Sequence, residues 1–200
     1  MKFLVVTASD FEGDAIRTAL PPGAADVLAG GVGPAASAAE TATALARTNY
    51  DLVLCAGIGG GFGLLGVGDV AVASTIAFAD LGAESPAGFL TLPMAVAAYS
   101  VEPKLSVELA DRSGGRLGTI VTVATVTGTA ARCDELVARY PDAVAEGMEG
   151  AGVAAAAQRH RVPFGELRAI SNVVGPRDRD AWRIPAALDS LGRAVAAVVA

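Results

Sequence analysis

Apolar, β-branched runs and helix-period segments alternate along these 200 residues from end to end, and that alternation limits the fold more than any single motif does. Lys2–Thr7 reads as a buried strand, followed by a helix over Asp10–Leu20 in which Phe11, Ala15, Ile16 and Leu20 keep helical spacing. Ala25–Ala29 is a short strand. Gly30-Gly31-Val32-Gly33-Pro34 then leads into an alanine-rich helix ending near Arg47, with Pro34 suited to its first turn. Asp51–Ala56 is a second buried strand that opens into a glycine loop over Gly57–Gly63. Val67–Ala79 is a long strand, Asp80–Phe89 a loop, Pro103–Ser113 a helix and Leu117–Val126 a strand, and Thr129 caps a helix through Tyr140. Ala143-Val144 and Phe164–Ile170 supply the last strands. Val153–Ala157 and the Ile184, Leu188, Leu191, Val195, Val198 stripe supply the last helices, and Ser171–Arg183 is a polar loop.

A chain that alternates in this way packs helices on both faces of a sheet. The expected architecture is a single-domain, three-layer α/β sandwich over residues 1–200, with a central mixed, mostly parallel sheet. Such sheets collect ligands at the carboxyl ends of their strands, which points to the junctions Ser9–Glu12, Gly57–Gly63, Met148–Glu149 and Ser171–Arg179. With 52% hydrophobic and 18% charged residues, the chain can bury one sizeable core. A net charge of −6, spread along the chain, excludes a nucleic-acid or anionic-membrane surface, since both need clustered Lys and Arg. The N-terminal run is too short and too soon acidic for a signal peptide, and no apolar stretch reaches the roughly 18 residues of a membrane span, so a cytoplasmic protein is expected. Cys55 and Cys133 have neither disulfide nor zinc spacing. The single histidine, His160, sits at a helix end, so a histidine-dependent triad, a metal and a cofactor are not expected.

The stretch Ala145-Glu146-Gly147-Met148-Glu149-Gly150-Ala151-Gly152 places Glu149 where a strand becomes a helix. A carboxylate there complements the helix dipole, and the flanking glycines clear space either for a ligand or for close packing. Glu12 stands in a similar first turn. Gly31-Val32-Gly33-Pro34-Ala35-Ala36 has the form of a dinucleotide fingerprint, but it occupies the second strand–helix unit and Asp51 opens a strand, so a structural turn is the better reading. The Gly57–Gly63 loop lacks the Lys and Ser/Thr of a phosphate-cradling loop, although its bare backbone could meet a neutral ligand. Arg177 either pairs with Asp178 or Asp180 on the surface or serves a ligand. These positions follow different strands of one sheet and could line a single cleft.

Taken together, Ala8 to Glu12, Gly57-Ile58-Gly59-Gly60-Gly61, Val67-Gly68-Asp69-Val70, Asp80-Leu81-Gly82-Ala83-Glu84, Gly147-Met148-Glu149-Gly150 and Arg168-Ala169-Ile170-Ser171-Asn172 resemble the nucleoside phosphorylase and nucleosidase superfamily along nearly the whole chain. Within it the likeness is strongest to the futalosine hydrolases of menaquinone biosynthesis. The resemblance implies a nucleoside phosphorylase-like fold and hydrolysis of an N-glycosidic bond through an oxocarbenium-like transition state, releasing hypoxanthine from futalosine. It implies that Glu12 activates water, that Glu149 with Met148 holds the ribose, and that Asn172 faces the purine. Further substrate contacts are expected from Gly57, Gly59, Phe89, Val126, Thr127, Ser171 and Arg177, with Phe89 and Arg177 serving the benzoate-bearing 5′ group. The related methylthioadenosine nucleosidases carry Asp where this chain has Asn172. An amide can accept from a protonated N7 and donate to a 6-oxo group, so 6-oxopurines are expected over 6-aminopurines. A homodimer or higher homo-oligomer is also implied. The alternatives are another purine nucleosidase, a purine nucleoside phosphorylase, or a non-catalytic purine-nucleoside binding protein on the same scaffold.

Overall fold

The computed structural model describes residues 1–63 and 65–200. In chain order the elements are β1 (Phe3–Thr7), α1 (Asp10–Ala19), β2 (Asp26–Ala29), α2 (Pro34–Arg47), β3 (Leu52–Gly61), β4 (Val70–Phe78), β5 (Ala83–Ser85) and β6 (Gly88–Leu90). They continue with β7 (Ala98–Ser100), α3 (Pro103–Ser113), β8 (Arg116–Thr122), α4 (Ala130–Arg139), β9 (Ala143–Gly147), α5 (Gly150–His160), β10 (Phe164–Val173) and α6 (Ile184–Val199).

Successive strand residues point to opposite faces, and the central strands are apolar on both. In β1, Leu4 and Val6 pack with Val53 and Cys55 of β3 against Leu45 of α2 and Val153 and Ala157 of α5. The intervening Val5, with Leu54 and Ala56, packs against Ile16 of α1, Leu109 of α3 and Leu191 and Val195 of α6. Helices thus cover both faces of a mixed sheet, as the alternation of elements predicts.

The sheet runs β10-β4-β8-β9-β3-β1-β2, and β10 also pairs with β3, so five of its strands close a circuit from which β1 and β2 extend. β10 is parallel to β3 and antiparallel to β4, with a register shift between Ile170 and Asn172. Further shifts occur between β4 and β8 and between β8 and β9. Irregularities of this kind bend strands and raise their twist, which is what closure needs.

Closure explains where the structure departs from the sequence reading. Gly57–Gly61 is not loop but the second half of β3, bonded to β10 along its length and to β9 at Gly60 and Gly61. Its glycines admit crowded neighbours, since a Cβ at Gly59 would lie 2.5 Å from the carbonyl oxygen of Glu146. Ser171–Val173 likewise finish β10 instead of starting a loop, and the 80–90 segment contains the β5–β6 hairpin. β8 stops at Thr122, leaving Val126 beyond its end. Among the described residues, no helix is long and apolar enough to cross a membrane.

Candidate active site

A cavity of about 430 Å³ opens where β1, β3, β9 and β10 end. Its wall includes Glu12, Gly59, Val126, Thr127, Met148, Glu149, Ser171, Asn172 and Arg177. A more open hollow of about 730 Å³, between Ser113–Arg116 and α6, holds none of the expected site residues.

Glu12 occupies the third position of α1 and is 5% exposed. Its Oε2 accepts from the N–H groups of Ala8 (2.9 Å) and Ser9 (3.1 Å), satisfying donors left free at the helix start. Its Oε1 accepts from the Ile58 N–H of β3 at 2.9 Å, which leaves that oxygen able to take one more donor from the cavity.

Glu149 is the N-cap residue of α5, one step before the helical turn expected for it, and is 3% exposed. Its Oε1 accepts from the Gly33 N–H at 3.1 Å. The Gly31–Pro34 turn, with Gly33 at φ 90°, therefore serves to aim one amide at a carboxylate 116 residues away. Glu149 Oε2 accepts from Arg168 Nη1 at 3.0 Å and from the Met148 N–H at 3.3 Å.

The sequence reading gave Arg168 a place in a segment of the resemblance but no role, and it passed over Glu166. Arg168, in mid-β10, is 1% exposed and donates through Nε to Glu166 Oε1 at 2.8 Å, besides its bond to Glu149. Its Nη2 lies 3.3 Å from the Cys55 sulfur. Burial alone would weaken the guanidinium's hold on its proton, but the carboxylates of Glu166, Glu149 and Glu12 outweigh it and push the pKa well above the usual value. Burial pushes the Glu166 carboxyl up, with Arg168 opposing, and the Cys55 thiol is driven well up by the same cause. The thiol is therefore a neutral spectator. A sequence signal for the pair does exist: Glu166 and Arg168 are two apart in a strand of otherwise apolar neighbours, so they share one buried face.

The glycines next to these groups make room for them. A Cβ at Gly57 would lie 2.7 Å from both Arg168 Nη1 and Glu12 Oε1, so Gly57 stands behind the carboxylate and not on the cavity wall. Gly147 faces the Arg168 guanidinium, Gly150 the Glu166 carboxylate, and Gly152 the carbonyl of Pro34 in α2. Their role is close packing, one of the two explanations the sequence left open.

At the other end of the cavity, Asn172 Oδ1 accepts from Ser171 Oγ at 2.8 Å and Nδ2 donates to the Val173 carbonyl at 3.0 Å. Glu146, also on the wall and 6% exposed, accepts from the Thr127 N–H at 2.9 Å and from the Thr127 hydroxyl. Burial pushes its carboxyl up, with the Thr127 hydrogen bonds opposing. Arg177 has no carboxylate within ion-pair distance among the described residues; its guanidinium lies 5.2 Å from the ring of Trp182, another wall residue. Phe89 is not on this wall. It lies on the β5–β6 hairpin, with the Arg139 guanidinium 4.0 Å from its ring.

Comparison with known proteins fixes the family of this fold. The model of the phosphorylase superfamily matches residues 24–200, and the chain belongs to that superfamily. A futalosine hydrolase of Acidothermus cellulolyticus is 49% identical over 99% of this chain and 90% of its own length, and one of Streptomyces coelicolor is 47% identical over 98% and 94%. Among solved structures, the 5′-methylthioadenosine/S-adenosylhomocysteine nucleosidase of Neisseria meningitidis superposes with a TM-score of 0.88 over 99% of this chain and 98% of that one. At 22% identity this last likeness shows the fold. Within the superfamily the chain is an enzyme of the N-glycosidic hydrolase kind.

Proposed function

We propose that this enzyme hydrolyses the N-glycosidic bond of futalosine, releasing hypoxanthine, as a single domain acting in the cytoplasm in the futalosine route to menaquinone. The observation that carries the reading is the pairing, on one cavity wall, of two buried carboxylates that each keep an oxygen with spare acceptor capacity, Glu12 Oε1 and Glu149 Oε1. Glu149 accepts from ribose hydroxyls beside Met148, Glu12 takes the proton of the attacking water, and Asn172 receives the base, with Ser171 holding its amide. The sugar becomes cationic as the bond breaks, so a fixed anion favours the transition state over the neutral substrate. At an effective dielectric of about 20, a charge about 4 Å away is worth roughly 4 kcal/mol, or about a thousandfold in rate.

Water is favoured over phosphate as the nucleophile because Arg177 is the one cation on the described wall, whereas Glu12, Glu146 and Glu149 would repel an anion. Arg168 lies behind the wall, committed to carboxylates. Arg177 with the Trp182 ring offers a cation beside apolar surface, which suits the benzoate of futalosine. The hairpin that carries Phe89 contributes to the cavity of a second copy in a homodimer.

Incubating the purified enzyme with futalosine, without phosphate and beside inosine and methylthioadenosine, tests the reading. Phosphate-independent release of hypoxanthine is expected, with Glu12→Gln and Glu149→Gln each slowed a hundredfold or more. Appearance of a sugar phosphate only when phosphate is added, or near wild-type cleavage by either variant, refutes it.

A further inference from the structure

Glu146 is a buried carboxylate on the cavity wall that the mechanism above does not use. It has no cation within ion-pair distance among the described residues, and its hydrogen-bond donors come from Thr127 alone. A carboxylate offers about four acceptor positions, so this clamp orients the group and leaves capacity facing the cavity. Such a group is costly to bury beside Val126 and Val174 unless a donor arrives there.

Glu146 of β9 stands opposite Gly60 of β3, and Asn172 of β10 stands opposite the same Gly60 from the other side. Directly opposed residues share a face. Glu146, Gly60 and Asn172 thus form one row across the cavity floor, with a hydrogen-bonding side chain at each end and the Val174 side chain packed over Gly60 between them. The end residues are separated by two strand spacings, about 10 Å. Val174 Cγ2 fills the space over Gly60, where a Cβ would lie 2.6 Å from it, so the floor between the two ends is apolar. An apolar floor between two hydrogen-bonding groups suits a flat heterocycle with polar edges.

We propose that Glu146, held by Thr127, reads the six-membered edge of the nucleobase by accepting the N1–H of a 6-oxopurine, opposite Asn172 at the imidazole edge. This rests on the nucleosidase reading and adds to it a second determinant of base choice. A 6-oxopurine carries a hydrogen on N1. A 6-aminopurine presents a lone pair there, which the carboxylate repels, and burial makes the mismatch expensive.

The test measures kcat/KM of wild type and Glu146→Gln on inosine and adenosine, with hypoxanthine and adenine binding by calorimetry alongside. Gln carries both a donor and an acceptor, so the variant is expected to lose at least tenfold on inosine and to lower the inosine-to-adenosine ratio at least tenfold, with base binding shifting in the same sense. A variant that keeps both rate and ratio within twofold overturns the proposal while leaving the nucleosidase reading intact, and so does an equal loss on both substrates. A wild type that cleaves no nucleoside overturns both. If the variant does not fold, wild-type binding of hypoxanthine against 1-methylhypoxanthine reads the same contact: a loss of at least tenfold on methylation is expected, and equal affinity overturns the proposal.

Discussion

Replacing Arg168 by Met would remove the one cation from a cluster of buried carboxylates while nearly keeping the volume of the side chain. In the folded protein Arg168 is 1% exposed and bonds Glu149 at 3.0 Å and Glu166 at 2.8 Å, and both acids are buried. Removing one partner of a buried pair typically costs about 3–5 kcal/mol, because the remaining charge stays desolvated. Two acids would be stranded here, but Glu166, whose carboxyl burial already pushes up, can take a proton and limit the loss to that range. For a domain of this length each kcal/mol moves the melting temperature by about 2–4 °C, so a fall of roughly 6–20 °C is expected. Urea and thermal denaturation followed by far-ultraviolet circular dichroism measure it. Glu166→Gln combined with Arg168→Met should recover at least about 1 kcal/mol, since one stranded acid is gone and the two sites touch. A single variant within about 1 kcal/mol of wild type, or a double variant no more stable than the single, would show that the cation does not hold this cluster together.

Gly150→Ala should lower stability by at least about 1 kcal/mol in a melting experiment, although Ala normally favours a helix, because the new Cβ meets the Glu166 carboxylate. Arg177→Ala should raise KM for futalosine about tenfold and leave inosine, which lacks the benzoate, within twofold; equal effects on both would take Arg177 out of the 5′ site. Glu166 has its folded pKa raised above the usual 4.5, so the folded state binds the extra proton and its contribution is fullest below about pH 4.5 and is lost as pH rises through the folded value. The stability of Glu166→Gln relative to wild type should therefore climb with pH over that window, read from urea midpoints between about pH 4 and pH 8; a flat difference would contradict the assignment.

The layers of this fold were legible because its core obeys a period of two on strands and 3.6 on helices: Leu4, Val5 and Val6 go to alternate faces, and the α6 stripe meets one of them. Closure of the sheet was not legible, since the double pairing of β10 depends on bulges between Ile170 and Asn172 and, in β4, between Ala73 and Thr75 that no local pattern marks. Glycine was where composition misled. The run from Gly57 to Gly61 reads as part of a loop whose bare backbone could meet a ligand, yet it is strand in which each missing side chain is filled by a neighbour, among them Glu12, Arg168 and Val174.

The cavity's acids divide along the same line. Glu12 and Glu149 follow strands at the starts of helices, where a polar residue is unremarkable and a ligand is welcome, so their placement followed from topology together with the superfamily resemblance. Glu146 and Arg168 lie inside strands, where charged residues are rare, and what justifies each is a partner distant in sequence: Thr127 for one, Glu149 for the other. A charge that a strand's own neighbours cannot satisfy must be satisfied from elsewhere in the fold or by a ligand. Arg168 meets that condition fully within the protein and so positions Glu149. Glu146, on the cavity wall and bonded by Thr127 alone among the described residues, meets it only in part, and the spare acceptor capacity is what the proposed contact to the base uses.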